Sequence, residues 1–360
     1  MVVKVEKKRV AIVGAAGVAG QQFVLALADH PWFEVVALAG SSRSAGRTYA
    51  QALRGRNDQL NWWQQQPVPA RLAAMEVVLA NELDLSGLDL VFTAIESDAA
   101  KELEPIFAQR CPTISTASAF RMDPHTPLLV PGVNGEHRAL IKQQQAVHGW
   151  RGFVVPIPNC TTYGLACTLA PLHRAFTVEA VIMTSMQAVS GAGRESGVLA
   201  LDVIDNVIPY IPGEEEKVQR EVNKILGSCD GRTVVPSPFQ VSSTCTRVPV
   251  VDGHTECVFV RTMKPCSVAA ARQAFLEFEP DLAGLPSAPE RFFTVHDDPF
   301  RPQPRLDRMV DRGMSTHVGR LRADAALGGI KYVLLSHNTL AGAAMGAVLV
   351  AELLCREQDI

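Results

Sequence analysis

Apolar positions in the first part of the chain fall in short blocks separated by turn residues. An apolar run at 9–13, a glycine-bearing turn at 14–20, an amphipathic stretch at 21–29 and a second apolar run at 33–39 predict a strand, turn, helix and strand in succession. Further strands are predicted at 77–80, 88–94 and 113–115, with a turn at 81–87 and a helix at 99–109. Such alternation implies a mainly parallel sheet. Beyond Pro156 the pattern changes: 159–175 has helical spacing, 178–189 is β-rich, and 214–226 reads as a charged helix. Strands at 248–250 and 257–262 and a helix at 267–279 continue this region, while the Pro- and Arg-rich stretch 297–308 reads as an extended loop. The Ala/Leu/Met-rich segment 338–354 returns to helical spacing. The expected fold class is α/β: a dinucleotide-binding domain at 1–157, a second domain at 158–337, and the C-terminal stretch 338–360 packing back onto the first.

Size supports two cores, since 360 residues with 47% hydrophobic content exceed what one core usually organises. The formal net charge is -3, from 34 basic and 37 acidic residues without a block of like charge, which argues against nucleic acid or an anionic membrane as partner. Small molecules are the expected partners. No run is long and apolar enough to span a bilayer and no signal-peptide core precedes the first strand, so a cytoplasmic location is expected. Eight cysteines without a CxxC pair or a His/Cys cluster predict neither a disulfide framework nor a metal site. Seven of them, Cys111, Cys167, Cys229, Cys245, Cys257, Cys266 and Cys355, read as small core residues.

Two segments carry chemistry. Gly14-Ala15-Ala16-Gly17-Val18-Ala19-Gly20, between a strand and a helix, has GxxGxxG spacing, whose small residues let backbone N–H groups approach a pyrophosphate. At the end of the second strand, where NAD-specific folds usually carry an acid, stand Ser41-Ser42-Arg43-Ser44. Hydroxyls and a guanidinium suit the 2′-phosphate of NADP. The second segment is Pro158-Asn159-Cys160-Thr161-Thr162, entering a helix whose N-terminal dipole lowers a thiol's pKa. His254, in the turn Asp252-Gly253-His254-Thr255, is the best base among nine histidines.

From GAAGVAGQQF, SSRSAGRTY, SDAAKELEP, ASAFRMD, PNCTT, QAVSGAG, DNVIPYIPGEEEK, RVPVVDGHT, DRMVDRGMSTHVGRLR and SHNTLAGAAMGAVLVAELL, in that order, the chain resembles aspartate-semialdehyde dehydrogenases of the archaeal and fungal branch over nearly its whole length. The resemblance implies a Rossmann-type NADP domain, a catalytic domain like that of glyceraldehyde-3-phosphate dehydrogenase, and a homodimer or homotetramer. It implies the interconversion of L-aspartate 4-semialdehyde, phosphate and NADP⁺ with L-4-aspartyl phosphate and NADPH, feeding lysine, threonine, methionine and isoleucine synthesis. Carried over residue by residue, Cys160 is the nucleophile, His254 the acid/base and Gln187 the residue orienting substrate near the sulfur. Arg247 holds the substrate carboxylate, Glu214 the ammonium, and Arg121, Lys217 and Asn159 the phosphate. Gly14, Ala16, Gly17, Val18, Ala19, Ser41, Ser42, Arg43, Ser44, Ser190, Gly191 and Asn338 form the cofactor set. Read without the resemblance, Gln187 is a polar strand residue facing solvent, and Glu214 to Lys217 an ordinary solvated helix start.

The sequence also departs from the family pattern. Arg194-Glu195-Ser196 stand where many relatives have Tyr-Pro-Gly, Ala341 where many have Arg, Thr116 where many have Asn, and Gly132 where many have Glu. The first leaves substrate specificity open, and Thr116 and Ala341 bear on cofactor affinity. A malonyl-CoA reductase shares the thioester chemistry, but the DGHT and SHNT segments favour the semialdehyde enzyme. A non-catalytic NADP-binding regulator has no evident need for Cys160, Gln187, Arg247 and His254 together.

Overall fold

The computed structural model describes residues 6–192 and 200–360, so the segment Arg194-Glu195-Ser196 lies outside the described residues. Seven strands make the first sheet: β1 (Lys8–Val13), β2 (Phe33–Gly40), β3 (Arg47–Thr48), β4 (Glu76–Leu79), β5 (Leu90–Thr93), β6 (Thr113–Ser115) and β7 (Val154–Pro156). Their order is β3-β4-β2-β1-β5-β6-β7, all neighbours parallel except β3 with β4. Strands β5, β6 and β7 are buried at every position, as strands covered on both faces must be. The helices of this half are α1 (Val18–Leu27), α2 (Tyr49–Ala52), α3 (Ala70–Ala73), α4 (Ser97–Ala108) and α5 (Leu140–His148).

The chain then enters α6 (Cys160–Phe176), in which every residue from Thr161 to Leu172 is buried. A helix enclosed on all sides has little freedom to move, which fixes its first residue in space. The second sheet comprises β8 (Val178–Gln187), β11 (Gln240–Arg247), β12 (His254–Thr262), β13 (Phe293–Val295), β14 (Thr316–Ala323) and β15 (Ile330–Ser336), ordered β11-β8-β12-β15-β14-β13. A two-stranded ribbon, β9 (Ser228–Cys229) with β10 (Val234–Val235), stands apart. The remaining helices are α7 (Ala200–Val203), α8 (Glu214–Ile225), α9 (Val268–Leu276), α10 (Pro304–Asp307) and α11 (Ala344–Arg356). One face of the second sheet packs on α6, α8 and α9 through Val181, Met183, Val258, Tyr332, Leu169, Val222 and Phe275.

Several elements depart from the sequence pattern. Residues 248–250 are not a strand: the chain leaves the sheet after Arg247, and Val250 and Val251 carbonyls accept from Val189 and Ser190 instead. The strand lies just before it, in β11, whose polar residues hid it. Helix α1 begins at Val18 with Gly17 as N-cap, three residues before the expected start. Helix α11 begins at Ala344, six residues late, because 338–343 form a turn that reaches the site. The expected loop at 297–308 contains α10, with Pro304 at its start. Strands β7, β14 and β15 and helix α5 have no counterpart in the apolar pattern.

Candidate active site

Strand register builds the site before any side chain is considered. Arg247 pairs with Gln187 across β11 and β8, Thr255 with Met186 across β12 and β8, and His254 with Ser336 across β12 and β15. Arg247, Gln187, His254 and Ser336 therefore form one transverse row, at the end of the sheet and on the face that α6 covers. Cys160, the first residue of α6, meets this row: its Sγ lies 3.2 Å from His254 Nε2. Asn159 caps the helix, its side-chain oxygen accepting from the N–H groups of Thr161 and Thr162. Gly342 closes the far side. A Cβ there would lie 3.0 Å from Cys160 Cβ and 2.9 Å from the Asn338 carbonyl, so only glycine lets the 338–343 turn pass over Cys160.

The imidazole's state follows from its bonds. His254 is fully buried, and its Nδ1 accepts from the Ala188 N–H at 3.1 Å, which leaves the ring proton on Nε2, facing the sulfur. Burial, with Arg247 and His337 nearby, pushes the His254 pKa down to about 3, so the ring is neutral. The thiol does not follow the helix-terminus expectation: burial first and the Glu214 carboxylate second push Cys160 up to about 12, against the pull of Arg121, Arg247 and the Thr161 N–H. In the free site Cys160 is a thiol.

The substrate-binding candidates converge on Glu214, which is buried rather than solvated. Its carboxylate accepts from Asn159 Nδ2 at 3.1 and 2.9 Å, from Gln187 Nε2 at 3.4 Å and from half-buried Lys217 Nζ at 3.2 Å. Gln187 is 1% exposed, which removes its reading as a solvent-facing strand residue. Arg247 donates to the Ala188 carbonyl at 2.9 Å and to Gln187 Oε1 at 3.5 Å. Arg121 forms a buried ion pair with Glu221, which also accepts from the Asn159 N–H at 2.7 Å. Glu221 and Lys224 were missed by sequence reasoning. Lys224 Nζ donates to the carbonyls of Arg121, Asp123 and Thr126 and so holds the Arg121 loop. The signal was available, since Glu214, Lys217, Glu221 and Lys224 recur at helical spacing on one face of α8.

At the glycine turn, a Cβ on Gly14 would lie 2.2 Å from the Ala94 carbonyl and one on Gly20 2.1 Å from that of Gly14, so backbone replaces side chains there. Ala16, Val18 and Ala19 are half-buried around Gly17, an exposed N-cap with no side-chain bond to the first turn of α1. Ser41, Ser42 and Arg43 are exposed beyond the end of β2. Ser44 is not part of such a surface: it is buried and its hydroxyl donates to the Ser41 carbonyl, closing the turn. Asn338 joins the halves of the site, accepting from the Gly253 N–H at 2.8 Å and donating to Ser190 Oγ at 2.9 Å. Gly191 lies beside it, a Cβ there coming within 3.2 Å of both Arg247 and His254. Thr116 bonds the Thr93 carbonyl, and Ala341 is buried. Gly132 has φ +82°, and a Cβ there would lie 2.7 Å from Pro280. Among the described residues one trio, His296, Asp307 and His317, brings metal-ligating atoms within 4.8 Å of one another. Asp307 is already held by the Arg301 guanidinium and the Gln303 N–H, so its charge is balanced by protein.

Family models match both halves: "Semialdehyde dehydrogenase, NAD binding domain" at residues 9–141 and "Semialdehyde dehydrogenase, dimerisation domain" at 169–341. An aspartate-semialdehyde dehydrogenase of Methanothermobacter thermautotrophicus is 44% identical over 96% of this chain and 98% of its own length. The chain belongs to the aspartate-semialdehyde dehydrogenase family. The Candida albicans enzyme, solved with NADP, is 39% identical and superposes with a TM-score of 0.87 over 99% of this chain and 100% of that one. Aspartate-semialdehyde dehydrogenase II of Vibrio cholerae, complexed with ASA, is 26% identical with a TM-score of 0.76 over 98% and 99%. Among the described residues no helix is long and apolar enough to cross a membrane.

Proposed function

We propose that this chain reduces L-4-aspartyl phosphate to L-aspartate 4-semialdehyde and phosphate, reversibly and with NADPH, through a thioester on Cys160. The supporting observation is the 3.2 Å contact between Cys160 Sγ and His254 Nε2, at the end of a row that also carries Gln187 and Arg247. Cys160 sulfur forms a bond to the acyl carbon as the acyl–phosphate bond breaks, with the departing phosphate taking the thiol proton. Arg247 pairs with the substrate carboxylate and Glu214 with its ammonium, while Arg121, Lys217 and Asn159 hold phosphate. His254, neutral with its Nε2 proton forward, donates a hydrogen bond to the carbonyl oxygen, beside the Cys160 N–H at the helix start, and the thiolate released with the aldehyde regains its proton from solvent. Gln187 keeps the acyl group over the sulfur.

The glycine turn fits a dinucleotide: the Gly14 and Gly20 backbones are bare, and the α1 N-terminus is uncapped by any side chain. Gly14, Ala16, Gly17, Val18 and Ala19 would hold the pyrophosphate, Ser41, Ser42 and Arg43 the 2′-phosphate, and Ser190, Gly191 and Asn338 the nicotinamide end. Bound NADPH supplies the hydride that takes the acyl group to the aldehyde level. We assign residues 1–157 with 338–360 to the nucleotide domain and 158–337 to catalysis and assembly. The uncovered face of the second sheet, with Ile182 41% exposed, supports a homodimer or homotetramer. The reaction fits a cytoplasmic pathway to lysine, threonine, methionine and isoleucine.

The test measures NADPH formation from aspartate semialdehyde and phosphate, beside NADPH oxidation by malonyl-CoA. Turnover with the semialdehyde is expected, and Cys160→Ser should reduce it by about 10³-fold or more with NADP still bound. Activity with malonyl-CoA alone would replace the substrate assignment, and binding without turnover would indicate a regulator.

A further inference from the structure

One row beneath the site lies an acid that the proposed reaction does not use. Glu256 follows His254 by two residues on β12 and points to the same face, toward α6. It pairs with Ser185 on β8 and Leu334 on β15, and Ser185 Oγ accepts from Gln187 Nε2 at 3.2 Å. Glu256 is fully buried, and neither carboxyl oxygen has a hydrogen-bond partner among the described residues. Two more buried groups close by share that condition. Ser336 Oγ, beside His254 in the upper row, has no partner among the described residues, and neither has Thr161 Oγ1, next to Cys160.

Register makes Glu256 and Ser336 diagonal neighbours on the face that α6 covers, and Thr161 stands in the first turn of that helix. Thr161, Gly164 and Thr168 recur at helical spacing on one face of α6, and that face meets β15: a Cβ on Gly164 would lie 2.6 Å from Ser336 Oγ, and Tyr332 Oη bonds Thr168 at 2.9 Å. Buried polar atoms are costly unless bonded, and water supplies the bond where protein does not. The other titratable groups that feel Glu256 are the Cys167 thiol of α6, the Tyr332 phenol of β15, the Cys245 thiol of β11 and the neighbouring Cys257 thiol of β12. None of these is a cation. Burial alone holds the Glu256 carboxyl well above the usual range.

Resting on the assignment of Cys160 and His254 to the chemistry, we propose that Glu256 is a neutral carboxylic acid which, with Ser336 and Thr161, binds water beneath the nucleophile and positions the His254 row from below. Glu256 touches no reacting atom and acts through its neighbours. Its function is to hold, through Ser185, the underside of Gln187, so that the row above keeps its alignment on Cys160.

The experiment compares Glu256→Gln, which keeps a neutral donor and acceptor, with Glu256→Leu, which keeps the volume and loses both. The glutamine variant should retain kcat within about twofold, whereas the leucine variant should lose about ten- to a hundredfold in kcat, the scale of a small misplacement of reacting groups, with the KM for NADP unchanged. A protonated-carboxyl infrared band should persist at pH 8 in the wild type and vanish in the glutamine variant. Full activity in the leucine variant, or equal losses in both variants, would overturn the proposal, as would the missing infrared band. If Glu256→Leu does not fold, Ser336→Ala replaces it, with a severalfold fall in kcat expected and an unchanged kcat overturning the water site. Cys160→Ser run in parallel separates the two ideas: wild-type rates there would remove the thioester reading, while the infrared band would still report on Glu256.

Discussion

Cys160 stands at the positive end of α6, yet its thiol is held up rather than down. The helix terminus contributes roughly half a charge, screened within a turn, while Glu214 places a full carboxylate in a buried site where charge interactions are strong. Substrate binding reverses the balance if the substrate ammonium pairs with Glu214. Glu214→Gln should therefore speed alkylation of Cys160 by iodoacetamide severalfold at pH 7 in the free enzyme and raise the KM for the amino-acid substrate. An unchanged alkylation profile would show that Glu214 does not hold the thiol up. Arg43 permits a cleaner test, because it is exposed and lies outside the row of Arg247, Gln187 and His254. Arg43→Ala should weaken NADP binding by about ten- to a hundredfold, the worth of a charge-assisted pair, and leave NAD nearly unaffected. Equal losses in titrations with the two cofactors would dissociate Arg43 from the 2′-phosphate.

Among the elements, α4 shows how a buried acid can brace a sheet at a cost that depends on pH. Glu104 Oε1 accepts from Thr93 on β5 and Ser115 on β6, both at 2.6 Å, tying the helix to two parallel strands. Burial outweighs those two bonds and pushes its pKa up to about 7. A raised carboxyl pKa means that the folded state holds a proton the unfolded chain has released. Stability from this group is thus full below the unfolded value near 4.5, falls as pH rises to about 7, and is flat beyond. Glu104→Gln should remove that decline, on the order of 3 kcal/mol, and melt higher than wild type at pH 8. Parallel melting curves for the two proteins between pH 4.5 and 8 would contradict it. Periodicity found α4, α6 and α8, but missed β11, where alternating Ser and Thr cover a strand paired along its full length with β8. The strand expected at 248–250 was drawn by its valines; the chain there leaves the sheet to cross the site.

On the scale of the whole molecule, α11 joins the two cores. Ala347, Val348 and Leu354 pack with the first, Leu349 and Leu353 with the second. The same helix carries Glu352, fully buried, which accepts from His30 Nε2 at 2.8 Å and from the Ser287 N–H at 3.1 and 3.0 Å. His30 Nδ1 accepts from the Trp32 and Phe33 N–H groups, so its ring proton is directed at Glu352. One carboxylate thus pins the β1-to-β2 connection, the C-terminal helix and the loop before β13. Glu352→Ala strands both donors and should cost about 1–3 kcal/mol for each, lowering the melting temperature of the whole protein. A melting temperature equal to wild type would show the joint to be dispensable.

By itself the sequence determined the α/β class, the glycine turn, the helix-capped cysteine and, through motif order, the family. These are local features, written in adjacent residues as period, capping and turn chemistry. Only the tertiary structure decided that Arg247, Gln187, His254 and Ser336 share a row, because strand register is a pairing between distant segments. It also decided that Ser44 closes a turn and that Glu221 and Lys224 support Arg121. The state of Cys160 belongs to the same category. A helix start predicts a lowered thiol pKa, but burial and a carboxylate reached from α8 set its sign, and neither exists until the chain is folded.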